Sequence, residues 1–136
     1  MTSTTQLADL VRRKHDVLLR LYELGCRQRE IVNGGDMTTL LELLATKQNM
    51  ISLLQQVESE LAPYHAEDPD ARAWASTDDR TRCARQAAEC NRLLEKIVEL
   101  EKQSAQRLAD RRNEVAVQLQ RVYSAGQARQ AYEASK

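Results

Sequence analysis

The chain has 136 residues with 20 Lys+Arg against 20 Asp+Glu and a sequence pI near 6.7, which allows one domain and excludes the basic excess of a protein that coats nucleic acid. Hydrophobic residues make up 42% and charged residues 29%, a balance foreign to disordered tails and to membrane proteins. Four Gly, two Pro, one Trp and no Phe leave too few turns and too few bulky β-formers for a sandwich or barrel, so long helices remain.

The first element is expected over about residues 5–33. From Leu7, apolar residues fall at Leu10, Val11, Val17, Leu18, Leu21, Leu24, Ile31 and Val32, steps that place them on one helical stripe. Gly25 weakens such a helix by about 1 kcal/mol relative to Ala, tolerable where it permits close packing. Gly34-Gly35-Asp36 is the first break: glycine closes a helix in the left-handed region, and Asp36 caps the next one.

The second helix is expected over about 37–62, with Met37, Leu40, Leu41, Leu44, Ile51, Leu54, Val57 and Leu61 as its apolar set. It should end before Pro63, because proline disfavours helical geometry in the residue ahead of it. Residues 63–77 read as the only substantial loop, and Trp74 is expected to tack it over the end of the bundle.

A third helix should start at a Ser76 or Thr77 cap followed by Asp78 and Asp79, and run over about 78–125, to Gly126. Cys83, Ala87, Cys90, Leu94 and Ile97 form a heptad seam. Leu100, Ser104, Leu108, Val115, Leu119 and Val122 continue it more loosely. The tail 126–136 is left open between helix and fraying.

Two arrangements fit these lengths: a bent rod paired with the third helix, or three helices running up, down and up. Two glycines and a fresh cap make a turn more readily than a kink. The expected fold is therefore all-α, an antiparallel up-down-up three-helix bundle or coiled coil whose long third helix overhangs it beyond about Ala105, by roughly 30 Å.

Chemistry is sparse. Cys83 and Cys90 lie two turns apart on one helix, unlike the closely spaced pairs of zinc sites, and His15 and His65 stand alone. They read as small core hydrophobes. Gly34-Gly35 lacks a following Gly-Lys-Ser pattern, and neighbouring carboxylates such as Asp78 and Asp79 point to different helix faces. The reading is no enzyme, no catalytic residue, no metal and no cofactor. With few aromatics to stack bases, nucleic-acid binding is not expected, and no run is apolar enough for membrane insertion. The first residues lack a secretory pattern and the cysteines are odd in number, so a cytoplasmic protein with reduced thiols is expected. Residues 36–79 carry nine acidic and two basic side chains, and residues 102–136 seven basic and three acidic, a pattern read as solvated faces.

The run Arg29-Glu30-Ile31-Val32-Asn33-Gly34-Gly35-Asp36, followed by Leu40-Leu41, Leu43-Leu44, Lys47, Ile51, Leu54 and Glu58, resembles the FlgN family of flagellar export chaperones. Those proteins show a helix ending at a Gly-Asp step, then a leucine-rich helix with a lysine one turn on and a glutamate near its end. FliT-type chaperones carry a similar hairpin, and the choice between the two types stays open. The resemblance implies a cytoplasmic protein that holds hook–filament junction proteins before secretion, delivers them to the flagellar export apparatus, and uses its last helix for cargo. Leu108, Val115, Leu119, Val122 and Tyr123 are the candidate cargo-binding residues. The alternative is a self-associating coiled-coil adaptor with no client; the chaperone itself should be a monomer or weak dimer.

Overall fold

The computed structural model describes residues 4–134, without the side chains of residue 33 and of residues 132–134. Three helices account for almost all of it: α1 (Thr4–Gly34), α2 (Met37–His65) and α3 (Thr77–Ala134), with a single 3-10 turn at Pro69–Ala71. Helical residues reach 92%, and no strand forms among the described residues. None of these helices is long and apolar enough to cross a membrane. The last two positions of the expected tail, 135 and 136, lie outside the described residues.

The turn between α1 and α2 is built as its residues dictate. Gly35 sits at φ +84, and its N–H donates to the Ile31 carbonyl at 3.0 Å, closing α1. Asp36 adopts an extended conformation; its carboxylate accepts from the Thr39 amide (3.2 Å) and the Thr39 hydroxyl (2.7 Å), capping α2. Those hydrogen bonds hold the Asp36 carboxyl below its ordinary value.

Two boundaries differ from expectation. α2 runs through Pro63 to His65, so the loop is shorter than 63–77. Proline removes the N–H that would bond the Ser59 carbonyl, but Ser59 is exposed and water can replace that bond. Arg72 then donates to the Tyr64 carbonyl (2.7 Å) and ties down the helix end. α3 does not stop near residue 125: it passes through Gly126 to Ala134, because a glycine inside a helix costs only about 1 kcal/mol and good helix formers follow. At its start the Ser76 hydroxyl accepts from the Asp79 amide at 3.1 Å, the expected cap.

α1 lies in the middle. It runs antiparallel to α2 and parallel to α3, while no Cα of α2 comes within 8 Å of one of α3 among the described residues. At the loop end Leu7, Leu10 and Val11 pack with Val57, Leu61 and Cys83, and Tyr64 and Trp74 close over them. The next layer joins Leu18 and Leu21 to Cys90 and Leu93, with Met50, Ile51, Leu54, Leu94 and Ile97 partly buried around it. Leu93, not Leu94, is the fully buried member, and Ala87 is exposed. Although α3 packs its backbone against α1 alone, its side chains also meet those of α2, so its apolar stripe is wider than one heptad seam.

Above these layers sits a polar one. Lys47 is only 8% exposed; its ammonium donates to Gln28 Oε1 (2.8 Å) and pairs with Glu101, joining all three helices.

Candidate functional site

α3 has 58 residues against 31 in α1, about 87 Å against about 46 Å, so one end of it must run on alone. Among the described residues the last tie to the bundle is Arg111, whose guanidinium donates to the Val32 carbonyl at 2.5 Å and so satisfies the open end of α1. Beside it Leu108 lines a shallow cavity of about 190 Å³ with Val32, Met37 and Leu40. The bundle therefore reaches one to two turns past Ala105, and the overhang begins after Arg111. Residues 112–134 stand clear as a helix of about 35 Å.

Every described side chain from Asp110 to Ala131 is exposed. Among them Val115 (53%), Leu119 (65%), Val122 (71%) and Tyr123 (62%) follow Leu108 (46%) at steps of seven, four, three and one. Counting back from Leu108 by four and then by sevens reaches Ser104, Ile97, Cys90 and Cys83, the side of α3 that is packed below. The seam that holds the bundle together thus continues onto the overhang without changing face, and there none of the described residues covers it. All five sequence-derived site residues share this surface; Val117, also half-exposed, points the opposite way.

A second apolar strip meets the first. Met37, Leu41 and Leu44, members of the apolar set expected for α2, are exposed, whereas Leu43, outside that set, is buried. Met37, Leu41 and Leu44 share a face of α2 by their steps of four and three, and Met37 lies beside Leu108 at the root of the overhang. The signal was present in the sequence: Leu40-Leu41 and Leu43-Leu44 supply more leucines than one stripe can bury.

The residues that carry the family resemblance have defined places. Gly35 and Asp36 make the turn, Lys47 forms the three-helix polar layer, Ile51 and Leu54 pack around Cys90, and Glu58 pairs with Lys14 of α1 at 2.6 Å. Comparison with protein-family models, curated proteins and solved structures finds no match to this chain.

The thiols sit apart from this surface. Burial pushes both Cys83 and Cys90 above the ordinary thiol value, which keeps them protonated and unreactive as nucleophiles. Among the described residues no group of three His, Cys, Asp or Glu side chains converges as a metal site would require. The chemistry on offer at the overhang is apolar helix-on-helix packing, with the exposed Arg112 on the same face, one turn beyond Leu108 and one before Val115.

Proposed function

We propose that the protein is a cytoplasmic flagellar type III export chaperone of the FlgN kind. It holds the terminal helical segment of hook–filament junction proteins before secretion and hands them to the export apparatus. The observation that carries this reading is the continuation of the α3 seam, uncovered, over about 35 Å of helix. An amphipathic client helix laid along it would bury Val115, Leu119, Val122 and Tyr123, and Met37 with Leu108 would extend the contact back to the bundle. Each such side chain contributes about 1.5–3 kcal/mol when fully buried, less for a half-covered one, so several together offset the cost of ordering a client segment. The resemblance at Gly35-Asp36, Lys47 and Glu58 supports the same reading.

The test is a titration of the protein into labelled peptides spanning the terminal helices of junction proteins. Binding should be saturable, and Leu119→Asp should weaken it about 30-fold, the equivalent of about 2 kcal/mol. Absence of binding by the unaltered protein sinks the chaperone reading; undiminished binding by Leu119→Asp moves the surface elsewhere. The second reading, a self-associating adaptor, draws on the same stripe, since a second copy could cover it. Light scattering separates them, because the adaptor is a tight dimer at micromolar concentration and the chaperone a monomer or weak dimer.

A further inference from the structure

Far from the overhang, at the loop end of the bundle, the wide spacing of α2 and α3 opens a cavity of about 420 Å³ over α1, partly open to solvent. This volume falls in the range of small-molecule sites. Its floor is apolar, with Leu7 and Val11 from α1, Leu61 from α2 and the buried thiols of α3. It exists because α3 turns small residues toward it. Ala87 stands midway between Cys83 and Cys90 on the seam, yet it is exposed and lines the cavity instead of filling it.

The wall has one sign of charge. Lys14, Arg72 and Arg80 line the cavity, and no acidic side chain does. Their acidic partners Glu58, Glu67 and Asp70 lie outside the lining. Arg80 is held loosely, 3.7 Å from Asp70 between two well-exposed side chains, a pairing that contributes little. Arg72 Nε faces Glu67 Oε2 at 3.8 Å, too far for a hydrogen bond, and both atoms are buried without a hydrogen-bond partner. An apolar floor under a cationic rim suits a ligand with an aliphatic body and one anionic end. Polyanions would leave the floor unused, and cations would meet like charge.

We propose that this cavity binds a medium-chain aliphatic carboxylate, its chain on Leu7, Val11 and Leu61 and its carboxylate among Lys14, Arg72 and Arg80. The site is independent of the overhang and of the chaperone reading. Trp74, the single tryptophan, lines the cavity and reports its occupation.

The experiment is calorimetric titration with decanoate below its micellar range, followed in parallel by Trp74 fluorescence. Decanol and decyltrimethylammonium serve as neutral and cationic probes of equal chain length. Decanoate should bind at one site and shift the Trp74 emission, with both controls at least about tenfold weaker. Ala87→Phe, which fills the cavity, should abolish decanoate binding. Arg80→Gln, on an exposed side chain that the fold does not need, should weaken decanoate about tenfold and leave decanol unchanged. Equal binding of the three probes, no decanoate binding, or full decanoate affinity in Arg80→Gln overturns the proposal. Full affinity in a folded Ala87→Phe protein overturns it as well.

Discussion

Gly25 lies against Leu100 so closely that a Cβ on the glycine would stand 3.2 Å from Leu100 Cδ1. The glycine thus sets how near α1 and α3 approach above the second core layer. Alanine there gains about 1 kcal/mol of helix propensity and meets only the flexible end of a leucine, so Gly25→Ala should be close to neutral. Gly25→Leu has nowhere to go and should cost about 1–3 kcal/mol. Urea unfolding of the two variants decides it; equal midpoints would mean that the helices do not touch at this level.

Lys47 joins three helices through Gln28 and Glu101. Lys47→Ala removes the ammonium and leaves the buried Gln28 amide short of a partner. With Glu101 half-exposed, the expected cost is about 1–3 kcal/mol rather than that of a fully buried pair. Lys47→Met combined with Gln28→Met should recover much of the loss, because no buried polar group is then short of a partner and the half-exposed Glu101 carboxylate turns to water. If the double variant is less stable than Lys47→Ala, the layer acts through charge rather than through satisfied hydrogen bonds.

Stability should fall at both ends of the pH scale for separable reasons. Asp36 has a folded value below its ordinary 3.8, so its contribution is present above that pH and is lost as pH falls through the lower folded value. Asp36→Asn keeps a capping oxygen and removes the titration, so its acid limb should be flatter. Cys83 and Cys90 have folded values above the ordinary 9.0. The unfolded chain therefore ionises first, and their contribution, complete below pH 9, declines as pH rises through the raised values. Replacing both with Ala should flatten the alkaline limb, read by thermal melts across pH, whatever it does to stability at neutrality.

The overhang and the bundle should separate in hydrogen exchange. The described side chains beyond Arg111 are exposed, so amides 112–131 should exchange fast in the free protein, becoming protected when the stripe is covered. Leu119→Asp should leave the melting temperature nearly unchanged. Leu93→Asp places a charge at a 3%-exposed position and should unfold the bundle or lower its melting temperature sharply. Matching losses in the two variants would place the overhang in the core.

Much of this molecule is written in local chemistry. Gly35-Asp36 can hardly be anything but a turn and a cap, and Ser76 followed by Asp78 and Asp79 starts a helix wherever it stands. The uncovered stripe at Leu108, Val115, Leu119 and Val122 was equally visible, because only relative helix lengths were needed to find it. What local pattern misses is which of two adjacent apolar residues faces which neighbour. Leu93 faces the layer around Leu18 while Leu94 stays at its edge, and Leu43 goes in while Leu41 and Leu44 stay out. Those choices depend on helix azimuth, which a three-body packing sets and a seven-step spacing does not. Pro63 and Gly126 misled for the converse reason: each is a breaker by propensity, and each sits where the lost bond or lost entropy is small.

The central position of α1 also shapes how the chain is made. Its partner on one side follows at once, but its partner on the other is distant: Val11 meets Cys90 and Val32 meets Arg111, each 79 positions along. During synthesis the α1–α2 hairpin can close as soon as His65 emerges. The stretch from there to Arg111 takes roughly 2–9 s more at ribosomal rates of about 5–20 residues per second. For those seconds the flank of α1 that carries Leu18 and Leu21 is bare of α3, and a newborn hairpin with one sticky side is open to capture by neighbouring nascent chains.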